Sequence, residues 1–240
     1  MAIHASIIIP ARTESAYLPR LLRSLERQTG VTMDVTLADA DSSDDTPEIA
    51  RRWGCAVTVG GLPGVGRNAG ARLARSDQFV FLDADVELPD GFLEKNVSEF
   101  NHRGLAIGTT AYVPISDKRI DHIMHQAYNH FARATQHWHP LASGFCLLTT
   151  RDVHERIGGF DERIRLASDL NYVQRCARVG TFGILEGPPI SVDVRRMEKE
   201  GRLGLLVKYT RGYVYRLRHG EMYNPPFDYV FQGDVNARVK

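Results

Sequence analysis

The chain has 240 residues, 43% of them hydrophobic and 25% charged, with a formal net charge of +1. That balance fits one sizeable α/β domain with a modest extension and shows no disordered or low-complexity signature. It creates no electrostatic demand for nucleic acid or an anionic membrane as a partner. Three scattered cysteines, Cys55, Cys146 and Cys176, form neither a disulfide framework nor a zinc ribbon and suit a reducing compartment. The first apolar run lacks a basic leader and stops at Pro10, and no stretch approaches the roughly 20 apolar residues of a spanning helix, so a soluble, cytoplasmic protein is expected.

The first half alternates two periodicities. Ser6 to Ile9 reads as a buried strand, and Leu18, Leu21, Leu22 and Leu25 recur at helical spacing until Gln28-Thr29-Gly30. Asp34 to Ala38 is a second strand, running into the acidic, hydroxyl-rich loop Asp39 to Thr46, with a helix opening near Pro47. Ala56 to Val59 is a third strand, Gly60 to Gly66 reads as a loop, and Asn68 to Arg75 as a short helix. The run Phe79-Val80-Phe81-Leu82 is a fourth strand that ends in Asp83-Ala84-Asp85. This order implies a mostly parallel sheet with right-handed crossovers, whose ligands gather at the carboxyl ends of the strands. Pro10 to Glu14, Asp39 to Asp44 and Asp83 to Asp85 all fall there.

The second half is less regular. Ile120, Ile123, Met124, Ala127, Tyr128 and Phe131 keep a helical period with histidines interleaved, and Phe145 to Thr150 reads as a strand after the Ser143-Gly144 turn. Short helices are expected over residues 151 to 157 and 169 to 179, each ended by glycine. The basic, aromatic tail with Lys208, Tyr209, Arg211, Tyr213, Tyr215, Arg216 and Arg218 reads either as a helix packed on the domain or as a peripheral contact with the inner face of a membrane.

Two carboxylates one residue apart at a strand end repel each other unless a divalent cation or a hydroxyl-rich ligand satisfies them. Asp83 and Asp85 therefore point to metal, sugar or phosphate, while read alone they also fit a helix cap before Pro89.

Six segments in order resemble family 2 glycosyltransferases of the GT-A fold across nearly all of residues 5 to 200. Ile8-Ile9-Pro10-Ala11-Arg12-Thr13-Glu14 is similar to the family's "hhPxxNE", and Asp39 to Thr46 to its "DDGSTDGT". Gly66-Arg67-Asn68-Ala69-Gly70 resembles "RNxG", Asp83-Ala84-Asp85 the "DxD", Gly158 to Glu162 the "GGFDE", and Ser168-Asp169 the "ED". The resemblance implies a GT-A domain over residues 1–200, with a nucleotide-binding half (1–100), an acceptor-binding half (101–200) and a helical C-terminal extension (201–240). It also implies inverting, metal-dependent transfer from a nucleotide-diphosphate sugar, UDP-linked by preference, to a glycan or lipid-linked hydroxyl acceptor.

By that resemblance Asp85 ligates Mn²⁺ or Mg²⁺, and Asp83 shares the metal or holds the ribose. Pro10, Ala11, Arg12, Glu14, Asp39, Asp41, Arg67, Asn68, Ala84 and Arg196 join Asp83 on the donor side, with Asp39 facing the base and an arginine of the Arg195-Arg196 pair closing on the diphosphate. Asp169 is the implied general base, and Gly144, Phe160, Asp161 and Ser168 belong to the acceptor side. Asp193 is a further candidate metal ligand. Thr13 and Ser168 depart from the family's Asn and Glu, and the second departure touches the acceptor side.

Other classes leave traces. Gly64-Val65-Gly66-Arg67-Asn68-Ala69 is a formal GxGxxA, so an NAD(P)-dependent oxidoreductase is an alternative, although two βα units precede the glycines. A strand ending in DxD also suits a haloacid-dehalogenase-type phosphatase, but Glu87 stands where that family has Thr or Val. A catalytically degenerate domain that binds nucleotide sugar or glycan is the non-enzyme alternative, favoured only by Ser168.

Overall fold

The computed structural model describes residues 3–224, and residues 225–240 of the expected extension lie outside them. Along the chain run β1 (Ile3–Ala11), α1 (Leu18–Glu26), β2 (Val31–Asp39), α2 (Thr46–Arg52), β3 (Ala56–Val59), α3 (Pro63–Leu73) and β4 (Gln78–Leu82). Next come β5 (Val86–Glu87), α4 (Phe92–His102), β6 (Ile107–Thr109), β7 (Tyr112–Ile115), α5 (Arg119–Thr135), β8 (Cys146–Thr150) and α6 (Arg151–Arg156). The chain continues through α7 (Ser168–Val179), β9 (Phe182–Ile184), β10 (Ile190–Asp193), α8 (Arg195–Glu200) and α9 (Arg202–His219).

Seven strands form one sheet in the order β3-β2-β1-β4-β8-β6-β9, and β5-β10-β7 form a second, smaller one. The large sheet is buried on both faces, which is why its central strands read as unbroken apolar runs. Alternate side chains sort into two clusters: Ile7, Ile9, Val80, Leu82 and Leu148 pack against α1 and α4, while Ile8, Phe79, Phe81 and Leu147 pack against α7.

One sequence expectation changes. The Gly60 to Gly66 segment is not all loop, because α3 begins at Pro63 and carries Gly64, Gly66 and Gly70 inside it. Gly66 and Gly70 lie one turn apart on one face; a Cβ at Gly70 would stand 2.5 Å from Ile8 Cγ2, and one at Gly66 3.1 Å from Pro10 Cβ. The glycines weaken the helix's own propensity and let it lie directly on β1. Four glycines and a proline read as a loop because propensity carries no information about that close approach. The GxGxxA glycines are thus helical packing positions rather than an open phosphate-binding turn.

The direction of β8 is left open by the sequence. β8 runs antiparallel to both β4 and β6, with Leu82 opposite Cys146 and Gln78 opposite Thr150. The start of β8, rather than its end, therefore meets the carboxyl end of β4. Gly144 and Phe145 arrive beside Asp83, whose N–H donates to Phe145 O at 3.4 Å.

Candidate active site

The crevice lies where β1, β2 and β4 end and β8 begins. The acidic loop after β2 is stitched to the loop after β1: Thr13 N–H donates to Ser42 Oγ (2.8 Å), Glu14 N–H to Thr46 Oγ1 (2.8 Å) and Ser15 N–H to Asp44 Oδ2 (3.0 Å). Burial acts to raise the Asp44 pKa, but the hydrogen bonds from Thr46 and Ser15 outweigh it and leave the carboxyl below its ordinary range. Asp44 is thereby spent on the loop itself, whereas the Asp39 carboxylate, at the end of β2, accepts from Ser42 N–H and Ser42 Oγ. Among the described residues the non-glycine positions with positive φ are Thr13 (54°), Asp41 (60°) and Ala167 (60°). Two lie in these stitched loops and the third immediately precedes Ser168-Asp169; such outliers cost about 1–3 kcal/mol each and persist where the surroundings fix them.

The next layer joins the two sides of the crevice. Arg67, buried in α3, donates from Nη2 to Asp83 Oδ1 (2.7 Å) and to Gly144 O (3.3 Å). Its guanidinium lies 5.4 Å from the Phe160 ring centroid. Gly144 N–H in turn donates to Asp169 Oδ2 (2.7 Å), and Leu170 N–H donates to Asp169 Oδ1 (2.8 Å). Asp83, Arg67, Gly144 and Asp169 are one connected chain. A Cβ at residue 144 would collide with Arg67 Nη2, so a larger residue there would displace the guanidinium. Burial, reinforced by Asp169, raises the pKa of Asp83 against the pull of Arg67.

Asp85 sits deeper, 2% exposed. Arg195, from the start of α8, bridges it to Glu14, with Nη2 3.3 Å from Asp85 Oδ2 and 2.6 Å from Glu14 Oε1. The Arg195 guanidinium lies 3.9 Å from the Tyr17 ring centroid. Arg20 donates to Asp85 O (2.6 Å) and pairs with Asp193 Oδ2 (2.9 Å). Burial and then the Asp83 charge push Asp85 up to about 7 despite Arg195. Burial likewise raises Glu14, whose Oε2 is buried without a protein partner.

These carboxylates suit a divalent cation of the hard, oxygen-seeking kind. Among the described residues no three His, Cys, Asp or Glu side chains form a closed metal cage. An open pair such as Asp83 and Asp85 fits an ion that takes its remaining ligands from water and substrate phosphates. Burial is the main cause of the raised proton affinity of both carboxylates, and at Asp85 the Asp83 charge adds to it.

Several expected residues have their polar groups engaged within the protein. Asn68 binds the 158–162 loop, donating to Phe160 O and Glu162 Oε1 (2.9 Å each) and accepting from Phe160 N–H (2.8 Å). Phe160 is core, stacked on Tyr172 at 3.7 Å, and Asp161 pairs with Arg163. Arg196 pairs with Glu200 and lies over Tyr209, so Arg195 rather than Arg196 reaches the carboxylate cluster. Ala11 and Ala84 pack in the core, Pro10 is partly covered beside Gly66, Arg12 is partly buried and Ser168 is buried. Sequence reasoning passed over Tyr17 and Arg20. Their signal is a spacing of one helical turn at the opening of α1, directly after the first polar loop.

A mostly parallel sheet between helices, with a carboxylate pair after β4 and a further carboxylate at the start of α7, defines a glycosyltransferase of the GT-A type. The family model Glycosyl transferase family 2 matches residues 6–158, and the chain belongs to that family. It is 32% identical over 136 residues to 4,4'-diaponeurosporenoate glycosyltransferase of Staphylococcus haemolyticus, a match covering 53% of this chain and 34% of that protein. It is 36% identical over 99 residues to undecaprenyl-phosphate 4-deoxy-4-formamido-L-arabinose transferase of Pseudomonas paraeruginosa, covering 35% of this chain and 28% of that one. The chain thus spans about a third of the length of these curated relatives.

Solved structures share the fold. Mannosyltransferase PcManGT from Pyrobaculum calidifontis, in complex with GDP-Man and Mn²⁺, has a TM-score of 0.67 at 22% identity, covering 90% of this chain and 65% of that one. S. aureus TarS 1-349 in complex with UDP has a TM-score of 0.65 at 15% identity, covering 80% and 61% respectively.

Proposed function

We propose that the protein moves a sugar from a nucleotide-diphosphate donor, UDP-linked by preference, to a hydroxyl acceptor with inversion at the anomeric carbon. The observation that carries this reading is the connected chain Asp83, Arg67, Gly144 and Asp169. It holds a carboxylate pair and a separate, backbone-oriented carboxylate across one crevice. Asp83 and Asp85 would hold Mn²⁺ or Mg²⁺, which when bound supplies positive charge to the diphosphate as it leaves. Asp39, after β2, would accept from the nucleoside base.

Asp169 takes the proton from the acceptor hydroxyl. As that oxygen bonds to the anomeric carbon, the bond from carbon to phosphate oxygen breaks and its electron pair stays with the diphosphate. The Gly144 and Leu170 N–H groups fix the direction in which Asp169 presents its oxygens. Arg67 holds Asp83 in place, and Arg195 keeps a guanidinium beside Asp85. The acceptor is a glycan or a lipid-linked hydroxyl; the names of the two curated relatives support a lipid acceptor, although theirs end in a carboxylate and a phosphate rather than a hydroxyl.

The test is a thermal-shift panel of UDP-, GDP- and dTDP-sugars with and without Mn²⁺, since a ligand that binds only the folded state raises the melting temperature. Stabilisation by one nucleotide class that depends on Mn²⁺ is expected, and Asp85→Asn should remove it. Asp169→Asn should keep donor binding and lose at least about 100-fold in transfer rate. Unchanged transfer by Asp169→Asn would reject the base assignment, and stabilisation by NAD instead of a nucleotide sugar would reject the whole reading.

A further inference from the structure

We infer that α5 and α9 together form a docking face for an anionic lipid bilayer. Both helices turn an apolar stripe outward. On α5 and the turn that continues it, Ile120, Ile123, Phe131 and Trp138 recur at helical spacing and are 49%, 58%, 56% and 76% exposed. On α9 the stripe is Leu203, Leu206, Val207, Val214 and Leu217, with Leu203 and Leu217 73% and 67% exposed. These nine account for most of the large hydrophobic residues exposed in the described part of the chain. Meanwhile Leu205 and Gly212 face inward and are buried, so α9 is apolar on the side away from the protein.

The two stripes share one side of the molecule. Arg202 at the start of α9 donates to both oxygens of the buried Asp121 (2.6 and 2.8 Å), and Tyr213 hydroxyl meets His139 Nε2 at 2.5 Å. The contacts come in the same order along both helices, which therefore run parallel. Asp121 follows Ile120 by one residue, and Arg202 precedes Leu203 by one. With about 100° between successive residues, those opposite offsets turn both stripes the same way.

Charge selects the occupant. Residues 118–142 and 202–220 hold eight Lys and Arg against a single acid, Asp121, and six of the chain's nine histidines, although the whole chain is only +1. Arg211 and Arg218 flank the α9 stripe. A second copy of this face would bring like charge against like, and nucleic acid has no use for an aliphatic stripe. An apolar stripe edged with Arg, carrying one exposed Trp, suits the headgroup and acyl boundary of an anionic membrane. No helix among the described residues is long and apolar enough to cross a membrane, which fits contact in the plane of the surface.

The face also lies on the acceptor side. Behind it Tyr128 stacks on Tyr112 with centroids 5.7 Å apart, and Ser143 N–H, next to Gly144, donates to Tyr112 hydroxyl at 3.1 Å. A docked bilayer would therefore sit over the segment that orients Asp169.

The test is flotation of the intact chain with vesicles of pure phosphatidylcholine or of phosphatidylcholine with 30 mol% phosphatidylglycerol. Binding to the phosphatidylglycerol vesicles at least about tenfold above the neutral ones, and weakened by 0.5 M salt, is expected. Leu206→Asp with Leu217→Asp should abolish it, and Arg211→Glu with Arg218→Glu should reduce it about tenfold. Both variants should keep the wild-type melting temperature and nucleotide-sugar thermal shift, so a failure here leaves the transferase reading intact. Equal binding to both vesicles, no binding, or variants that float like wild type would overturn the proposal. So would a concentration-dependent dimer dispersed by Leu206→Asp, because a second copy would then cover the face.

Discussion

Arg195 shows how much one residue can be asked to do. Its guanidinium neutralises two buried carboxylates, Glu14 and Asp85, and stacks on Tyr17. Truncating one partner of such a group leaves the others charged and dry. Arg195→Ala should therefore destabilise the protein by about 3–5 kcal/mol in urea unfolding. Arg156→Ala, which breaks an exposed pairing with Asp152 on the same helix, should cost no more than about 1 kcal/mol. Equal losses would show that the buried bridge is not what Arg195 supplies. The carboxylates at this site were legible in the sequence because each ends a strand or opens a helix in the expected order. The arginine was not: neighbouring residues on a helix point about 100° apart, and no local pattern tells which of two adjacent arginines turns inward.

At the scale of elements, Asp121 and Arg202 tie the start of α9 to the start of α5. Hydrogen bonds from Arg202 hold the Asp121 carboxyl at about 2, below its unfolded value near 3.9. A depressed folded pKa contributes stability above the unfolded pKa, and that contribution fades as pH falls from about 4 toward 2. Melting temperature measured from pH 6 to pH 2.5 should fall less steeply in Asp121→Asn than in wild type; parallel curves would exclude the linkage. The long periodic elements, β1, α1, β4, α5 and α7, were readable because burial on one or both faces imposes a repeat. The three-residue β6 and β9 and the two-residue β5 were not, since strands that short contain no period. The direction of β8 was invisible for a different reason: the same apolar alternation serves either orientation.

At the scale of the whole molecule, residues 1–100 and 101–200 do not have separate cores. Tyr112, Cys146, Leu148 and Ile190 share one apolar cluster with Ile7, Leu21 and Phe92. A fragment of residues 1–100 should consequently lack a cooperative thermal transition, while the full chain should show a single one. A folded fragment with its own transition would mean that the first half is an independent unit.

The antiparallel β8 has a consequence for how such a chain is born. Leu82 waits for its partner Cys146, more than sixty residues further on, before the middle of the sheet can close. During synthesis β1 to β4 leave the ribosome with Phe79, Val80, Phe81 and Leu82 on an unpaired strand edge. The nascent protein is thus most prone to sticking to its neighbours midway through translation, and the strand that ends this vulnerability is the one that delivers Gly144 to the crevice.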